Sequence, residues 1–212
     1  DDLSDDEESK SAKSEAFSEK SEEQIVAADD GELPDGIVEE EEDPNMDPVE
    51  RITKRALRMC DLTYDRAFAI DNCNLGRKLG EYAMARLFEI FVDRVFKDTD
   101  EWFSYIFAPV NREDLCQNLV DYLLQRLGGE PYYSKNRGVP ALVLAHMHIA
   151  LTPQVAERWM DHFEEALYDM HEEITEGDKD MIKDHMRFQA YFLVAAQLLQ
   201  KEHSAKGVQF LD

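Results

Sequence analysis

Two histidines, His146 and His148, lie in the apolar run LVLAHMHIAL at positions 142–151. A neutral imidazole can bind a metal ion, and burying one without a partner costs free energy. On a helix, residues two positions apart point about 200° apart, so one helix cannot direct both rings at a single ion. The residues alone leave two alternatives for each ring: a metal ligand, or the more common histidine that bonds the backbone in or beside the core.

The elements that must position these rings are helices. Apolar residues recur at helical spacing along most of the chain, and no segment alternates as a strand would. Thr152 is predicted to cap a helix that has Pro153 in its first position, and the polar residues 130–140 are predicted to form a loop. The predicted helices cover 48 to about 65, 84–97, 112 to the glycine pair at 128–129, 141–150, 153 to about 173, and about 178–202. The fold class is therefore all-α.

The charge is concentrated at the start of the chain. Residues 1–47 contain 20 Asp and Glu against 3 Lys, so they carry −17 of the formal charge of −24 and leave −7 to the other 165 residues. Such a segment cannot bury enough apolar surface to offset its chain entropy, and we expect it to be disordered. It is a solubilising tail or, as the less favoured alternative, a docking arm for a basic protein or a reductase.

The composition also argues against several classes of function. An acidic surface disfavours nucleic acid as a partner, and no apolar run is long enough to span a bilayer. Three cysteines at wide spacing match no disulfide or metal framework, which favours a reducing compartment and a cytoplasmic location. The chain does not begin with Met, so the possibility of a removed targeting segment stays open.

Several motifs around His146 keep a fixed order and spacing. Gly128-Gly129 is followed by Tyr133-Ser134, Arg137-Gly138, His146 and, thirteen residues further on, Trp159. Together with LGEYAMARLFEIFVDRV at 79–95, this stretch resembles the truncated haemoglobins, most closely their group II. The resemblance covers roughly residues 80–200. It implies a globin-like two-over-two helical sandwich with an extra N-terminal helix, divided into an acidic tail (1–47), a pre-globin helix and connection (48–79) and a haem domain (80–205).

By this resemblance, His146 is the proximal ligand to the iron of haem b (iron protoporphyrin IX), while His148 is structural or faces solvent. Haem is a flat and mostly apolar plate, so burying it against apolar side chains stabilises the complex. The side chains implied to line it are Phe107, Leu142, Ile149 and Trp159, with Tyr133 and Arg137 as substitutes for the basic residues expected near the propionates.

On the distal side of the haem the chain departs from the family. Val92 stands where the family usually has a tyrosine, and Leu115 and Leu119 occupy positions that often carry a ligand-bonding side chain. Hydrogen-bond donors retain bound dioxygen, so we predict a five-coordinate ferrous haem that binds CO and NO well and O₂ poorly. The indole N–H of Trp159, or a trapped water, is the remaining donor, unless Tyr105 or Tyr122 re-enters the pocket.

Three functions stay open. The first is a haem-binding globin for the diatomic gases O₂, CO or NO. Enzymatic activity is uncertain here, and NO dioxygenase turnover is disfavoured because it needs stable O₂ binding. The alternatives are an all-α interaction module that recruits a partner through its tail and first helix, and a haem-based gas sensor acting through residues 48–79.

Overall fold

The structure, a computed structural model, describes residues 46–138 and 141–205. Within these ranges the chain is all-α, as the sequence predicts, with nine α-helices, one 3₁₀ turn at Ala69–Asn72 and no strand. The helices are α1 (Pro48–Met59), α2 (Tyr64–Ala67), α3 (Leu75–Phe96), α4 (Glu101–Phe107), α5 (Arg112–Arg126), α6 (Tyr132–Arg137), α7 (Leu142–His146), α8 (Pro153–Asp169) and α9 (Glu176–Ala205). The predicted acidic tail lies outside the described residues, apart from its last two positions.

Four long helices form the main body of the fold. Helix α3 packs along α5, α8 packs along α9, and α3 also contacts α8. This arrangement is the two-over-two sandwich that the resemblance implies. The side chains between the pairs form the main core, whose fully buried members include Leu87, Phe88, Phe91, Leu123, Met160 and Phe163.

A left-handed glycine separates two segments of α3. Gly80 has φ 75° and ψ 173°, values that interrupt the helix and that a residue with a Cβ rarely adopts. The chain therefore turns at Gly80 before the longer segment that carries Phe88 and Phe91. This turn is where the resemblance places the first inter-helix turn.

A second core lies between the N-terminal helices and α9. Ile52 and Ala56 of α1 are buried there against Phe188 and Val194 of α9. The guanidinium of Arg55 also binds both carboxylate oxygens of Glu202, at 3.0 and 2.7 Å. The pre-globin helix is thus packed onto the last helix along one apolar face.

The first helix is shorter than predicted. It begins as expected, because the Asp47 carboxylate accepts hydrogen bonds from the backbone N–H groups of residues 49 and 50. It ends at Met59 instead of about residue 65, since Asp61 adopts a left-handed φ of 52°. Thr63 then caps the separate helix α2.

Other helix boundaries differ from the prediction where contacts with other helices determine them. Helix α4 was not expected, and α6 forms where the sequence predicts a loop. Helix α6 is held on α5 by Gln125, whose side chain donates to Ser134 Oγ at 2.7 Å and accepts from the Ser134 N–H at 2.9 Å. Helix α7 covers only half of the predicted 141–150, and α8 ends at Asp169 rather than near 173. The predicted cap of α8 is confirmed, because Thr152 Oγ1 accepts from the Val155 N–H.

None of the helices among the described residues has the length and apolar character needed to cross a bilayer.

Candidate functional site

His146 is the last residue of the short helix α7, and its ring is bonded to its own helix. The Nδ1–H donates to the carbonyl oxygen of Leu142, one turn earlier, at 2.8 Å. This bond fixes the tautomer, so the lone pair is on Nε2, and no described residue bonds that atom. Burial lowers the pKa of His146 against the opposing effect of the Leu142 bond. The ring is therefore a neutral, half-buried nitrogen donor, while His148 is exposed.

Two aromatic side chains predicted to meet the haem lie against each other. The rings of Phe107 on α4 and Trp159 on α8 stack with centroids 5.7 Å apart and an angle of 13° between their planes. The Trp159 ring also meets Phe91 edge-on at 4.5 Å. Both side chains keep part of their surface exposed, and no described residue accepts a hydrogen bond from the indole N–H of Trp159.

An ion cluster fixes the two helices that carry this aromatic pair. The side chain of Asp98, which lies just before α4, is fully buried. It accepts from Arg158 at 2.7 and 3.3 Å and from His162 Nε2 at 2.6 Å, both on α8. Burial alone would raise the pKa of Asp98, but the hydrogen bonds from Arg158, the Asp100 N–H and His162 outweigh it and hold the pKa well below its usual range. The carboxylate is therefore charged at neutral pH and ties the start of α4 to α8.

The predicted distal residues divide into two groups by exposure. Leu115 and Leu119 lie on one side of α5, pack against the main core and remain half-buried. Val92, by contrast, has no exposed surface and lies inside the core. A ligand on this side of α5 could therefore contact Leu115 and Leu119, but not Val92 in its present position.

The tyrosines offered as alternative distal donors are placed differently. The Tyr122 hydroxyl accepts from Gln189 of α9 at 2.7 Å, and its ring meets Tyr133 edge-on at 5.6 Å. Tyr105 is half-buried on α4. Of the two substitutes predicted near the propionates, Tyr133 is half-buried and Arg137 is exposed at the end of α6.

The remaining predicted residues follow α7. Leu142 and Ile149 are half-buried on either side of His146. The described contacts do not join them to Phe107 or Trp159 directly. The link is Leu151, two residues beyond Ile149, which packs against both the main and the second core.

Gln197 belongs to none of the sequence motifs, although its side chain bonds the segment that carries His146. The available signal was a polar side chain inside the apolar run YFLVAAQLL of the last helix. The same kind of signal drew attention to His146. Its partners, about fifty residues earlier in the chain, were not predictable from the pattern.

Comparison with known proteins gives a consistent family. The model of the bacterial-like globin family matches residues 75–192. Two-on-two hemoglobin-3 of Arabidopsis thaliana is 41% identical over 137 residues, which are 65% of this chain and 78% of that protein. Group 2 truncated hemoglobin 3-1 of Lotus japonicus is 39% identical over 137 residues, covering 65% and 81%. The crystal structure of the group II truncated hemoglobin from Bacillus anthracis superposes with a TM-score of 0.50 at 26% identity, covering 54% of this chain and 85% of that one.

Proposed function

Because this chain belongs to the bacterial-like globin family, as a truncated haemoglobin of group 2, we propose that it holds haem b through His146 and binds a diatomic gas reversibly. Haem supplies the iron at which the gas binds. The chain supplies the axial nitrogen, the apolar side chains that line the haem, and any hydrogen-bond donor to the bound gas. Membership of the family supports haem binding in general; the ligand residue, the type of haem and the gas are the proposal.

The observation that carries the proposal is the hydrogen bond from His146 Nδ1–H to the Leu142 carbonyl. It leaves Nε2 with a lone pair and no described protein partner, and burial keeps the ring neutral. A metal-ligating histidine characteristically donates its other ring N–H in this way. Among the described residues, no group of three or more His, Cys, Asp or Glu side chains could hold a metal ion. An iron at Nε2 therefore needs its other nitrogens from a macrocycle, which haem provides.

The surrounding side chains suit an apolar disc. Phe107, Leu115, Leu119 and Trp159 pack against the main core but retain exposed surface, and Leu142 and Ile149 are half-buried beside His146. Apolar side chains that stay partly exposed lose contact with water when a porphyrin covers them, so they favour its binding. Tyr133 and Arg137 at α6 would serve the propionates, Arg137 by its charge.

The distal wall suggests weak retention of dioxygen. Leu115, Leu119 and Phe107 offer no hydroxyl or amide, and the Tyr122 ring packs edge-on against Tyr133 with its hydroxyl beside Gln189 of α9. The indole N–H of Trp159 is the donor predicted beside the gas, and Tyr105 on α4 is the alternative. We expect a five-coordinate ferrous protein with strong binding of CO and NO and fast release of O₂.

The first experiment tests the ligand. The purified chain is reconstituted with haem, and the Soret band of the reduced protein is recorded with and without CO. His146→Ala should abolish the spectrum of the histidine-ligated form, and added imidazole should restore part of it. His148→Ala, two residues away and exposed, should behave as the wild type. Haem uptake with unchanged ligation in His146→Ala would overturn the assignment, and no uptake at all would favour the interaction module.

The second experiment tests the distal wall. Stopped-flow release of O₂ should be fast in the wild type and faster still in Trp159→Phe, which keeps an aromatic ring but lacks the N–H. Slow release in the wild type that Trp159→Phe does not change would show that another donor holds the gas.

A haem-based sensor is a second candidate, and one contact favours it. Val143 and Leu151, on either side of His146, pack against the second core that also contains Ile52 and Ala56 of α1. Movement of the proximal segment (residues 142–151) would therefore change the packing of the pre-globin helix. Hydrogen exchange of residues 48–72 with and without CO tests this: equal exchange in both states excludes the sensor. The predicted reductase or basic partner depends on residues 1–47, and binding of such a partner by the full chain but not by a chain lacking 1–45 would support it.

A further inference from the structure

The side chain of Gln197 is bonded at every position to the backbone around His146. Gln197 lies on α9 and is 7% exposed. Its Nε2 donates to the carbonyl oxygens of His146 at 3.0 Å and of Ile149 at 2.7 Å. Its Oε1 accepts from the Leu151 N–H at 3.1 Å. Both amide protons and the amide oxygen are thus used on one stretch of six residues.

Apart from the apolar contacts of Val143 and Leu151 with the cores, this stretch has little else to fix its position. Helix α7 has only five residues and no side-chain cap at Ala141, and so short a helix is not stable without tertiary support. Its other hydrogen bonds stay within the segment, for example from the Ala145 N–H to the Ala141 carbonyl and from the Ile149 N–H to that of His146. Among the described residues, Gln197 is the only side chain outside 141–151 that bonds this segment.

The ring of His146 moves with its backbone. Its Nδ1 is bonded to Leu142 of the same helix, so the ring is tied to α7, and α7 is tied to α9 through Gln197. The direction of Nε2 therefore depends on the Gln197 amide of α9, which holds the backbone to which the ring is bonded. Leu151 adds an apolar contact with both cores but does not define a direction.

We infer that Gln197 is the positioning residue for the haem ligand, holding the His146 segment in the register that directs Nε2 towards the iron. This inference rests on the proposed ligation by His146. Without the amide, the buried carbonyls of His146 and Ile149 each lose a hydrogen bond. The segment then samples several positions, and the bond from Nε2 becomes weaker and more variable.

The test compares two glutamines on the same helix. Gln197→Met keeps the length of the side chain but removes all three hydrogen bonds. Gln200→Met is the matched control, because the Gln200 Oε1 is buried and has no hydrogen-bond partner within the described residues. Three measurements are made on the haem-loaded full chain: the iron–histidine stretching band in resonance Raman of the ferrous form, the rate of haem transfer to an acceptor apoglobin, and hydrogen exchange of 142–151.

Gln197→Met should broaden and shift the iron–histidine band, release haem roughly tenfold faster, and speed exchange of 142–151. Gln200→Met should change none of these. If Gln197→Met does not fold, Gln197→Glu serves instead, because it keeps the shape and an acceptor for Leu151 but can donate at most one hydrogen bond, from its protonated form, where the amide donates two; the same changes are expected.

The outcomes separate the two proposals. A wild type that takes up haem without an iron–histidine band overturns the ligation by His146. A wild type with that band, and a Gln197 variant whose band, haem release and exchange all equal those of Gln200→Met, leaves the ligation intact and overturns the role of Gln197.

Discussion

His185 joins the pre-globin segment to α9 and makes that junction sensitive to pH. The residue is 1% exposed. Its Nδ1–H donates to the Ala67 carbonyl of α2 at 3.0 Å, and its Nε2 accepts from Gln189 at 2.9 Å. The bond at Nε2 requires the neutral ring, whereas the Nδ1–H can donate to Ala67 in either protonation state. A proton on Nε2 would face the Gln189 amide hydrogens, and the charge would be buried in an apolar cluster.

The cost of protonation follows from the change in pKa on folding. Burial lowers the pKa of His185 from 6.5 to about 4. The charge of Arg126 lowers this pKa further, while the hydrogen bond to Ala67 and the charge of Asp71 raise it. Because the folded pKa is the lower one, the contribution to stability is complete above pH 6.5 and is lost as the pH falls towards 4. The full difference corresponds to about 3 kcal/mol, of which about 2 kcal/mol is lost between pH 7.5 and pH 5.

The assay is urea denaturation of the wild type and of His185→Gln at pH 7.5 and pH 5. The variant should be less stable at pH 7.5, because a buried hydrogen bond is altered. Its free energy of unfolding should, however, fall by about 2 kcal/mol less than that of the wild type between the two pH values. His171→Gln, an exposed histidine between α8 and α9, should keep the wild-type dependence. Equal pH dependence in the wild type and His185→Gln would refute the reasoning.

Three substitutions test other parts of the structure. Leu119→Gln should add an amide donor to the distal wall and slow O₂ release about tenfold in stopped-flow measurements. Asp98→Asn should lower the free energy of unfolding by about 2 kcal/mol at pH 7, because it weakens the charged hydrogen bonds to Arg158 and His162. That difference should shrink below about pH 4, where the wild-type carboxylate loses its advantage, as urea titrations at pH 7 and pH 3 will show. Gly76→Ala should lower Tm by several degrees in thermal denaturation, because its Cβ would lie 2.7 Å from the Leu124 carbonyl oxygen.

The sequence predicted the long helices because each carries its own apolar face. Helices α5 and α8 and most of α9 can be found from periodicity alone, and Thr152 marks the start of α8 by a local hydrogen bond. The short helices α4 and α6 have no such pattern. Helix α6 depends on Gln125, which lies on another helix, and a contact of that kind leaves no periodic signal in the sequence.

The candidate site shows the same division. His146 could be proposed as the ligand because the surrounding motifs keep their order and spacing, and its bond to Leu142 is local. The exposure of the distal side chains could not be predicted, so Val92 was grouped with Leu115 and Leu119 although it has no exposed surface. The partners of Gln197 and His185 lie about fifty and more than a hundred residues away, respectively. Pairs at that separation follow from the packing of α9, which no single segment encodes.

Helix α9 connects the features that would otherwise be separate. Phe188 and Val194 on this helix contact the pre-globin helix, His185 bonds α2, and Gln197 bonds the His146 segment. Since one rigid helix carries all these contacts, a shift of the proximal segment can reach the extension without any direct contact between them. Substitutions at the junction of α1 and α9, such as Ile52→Ala, should therefore speed the transfer of haem to an acceptor apoglobin as well as lower the free energy of unfolding in urea.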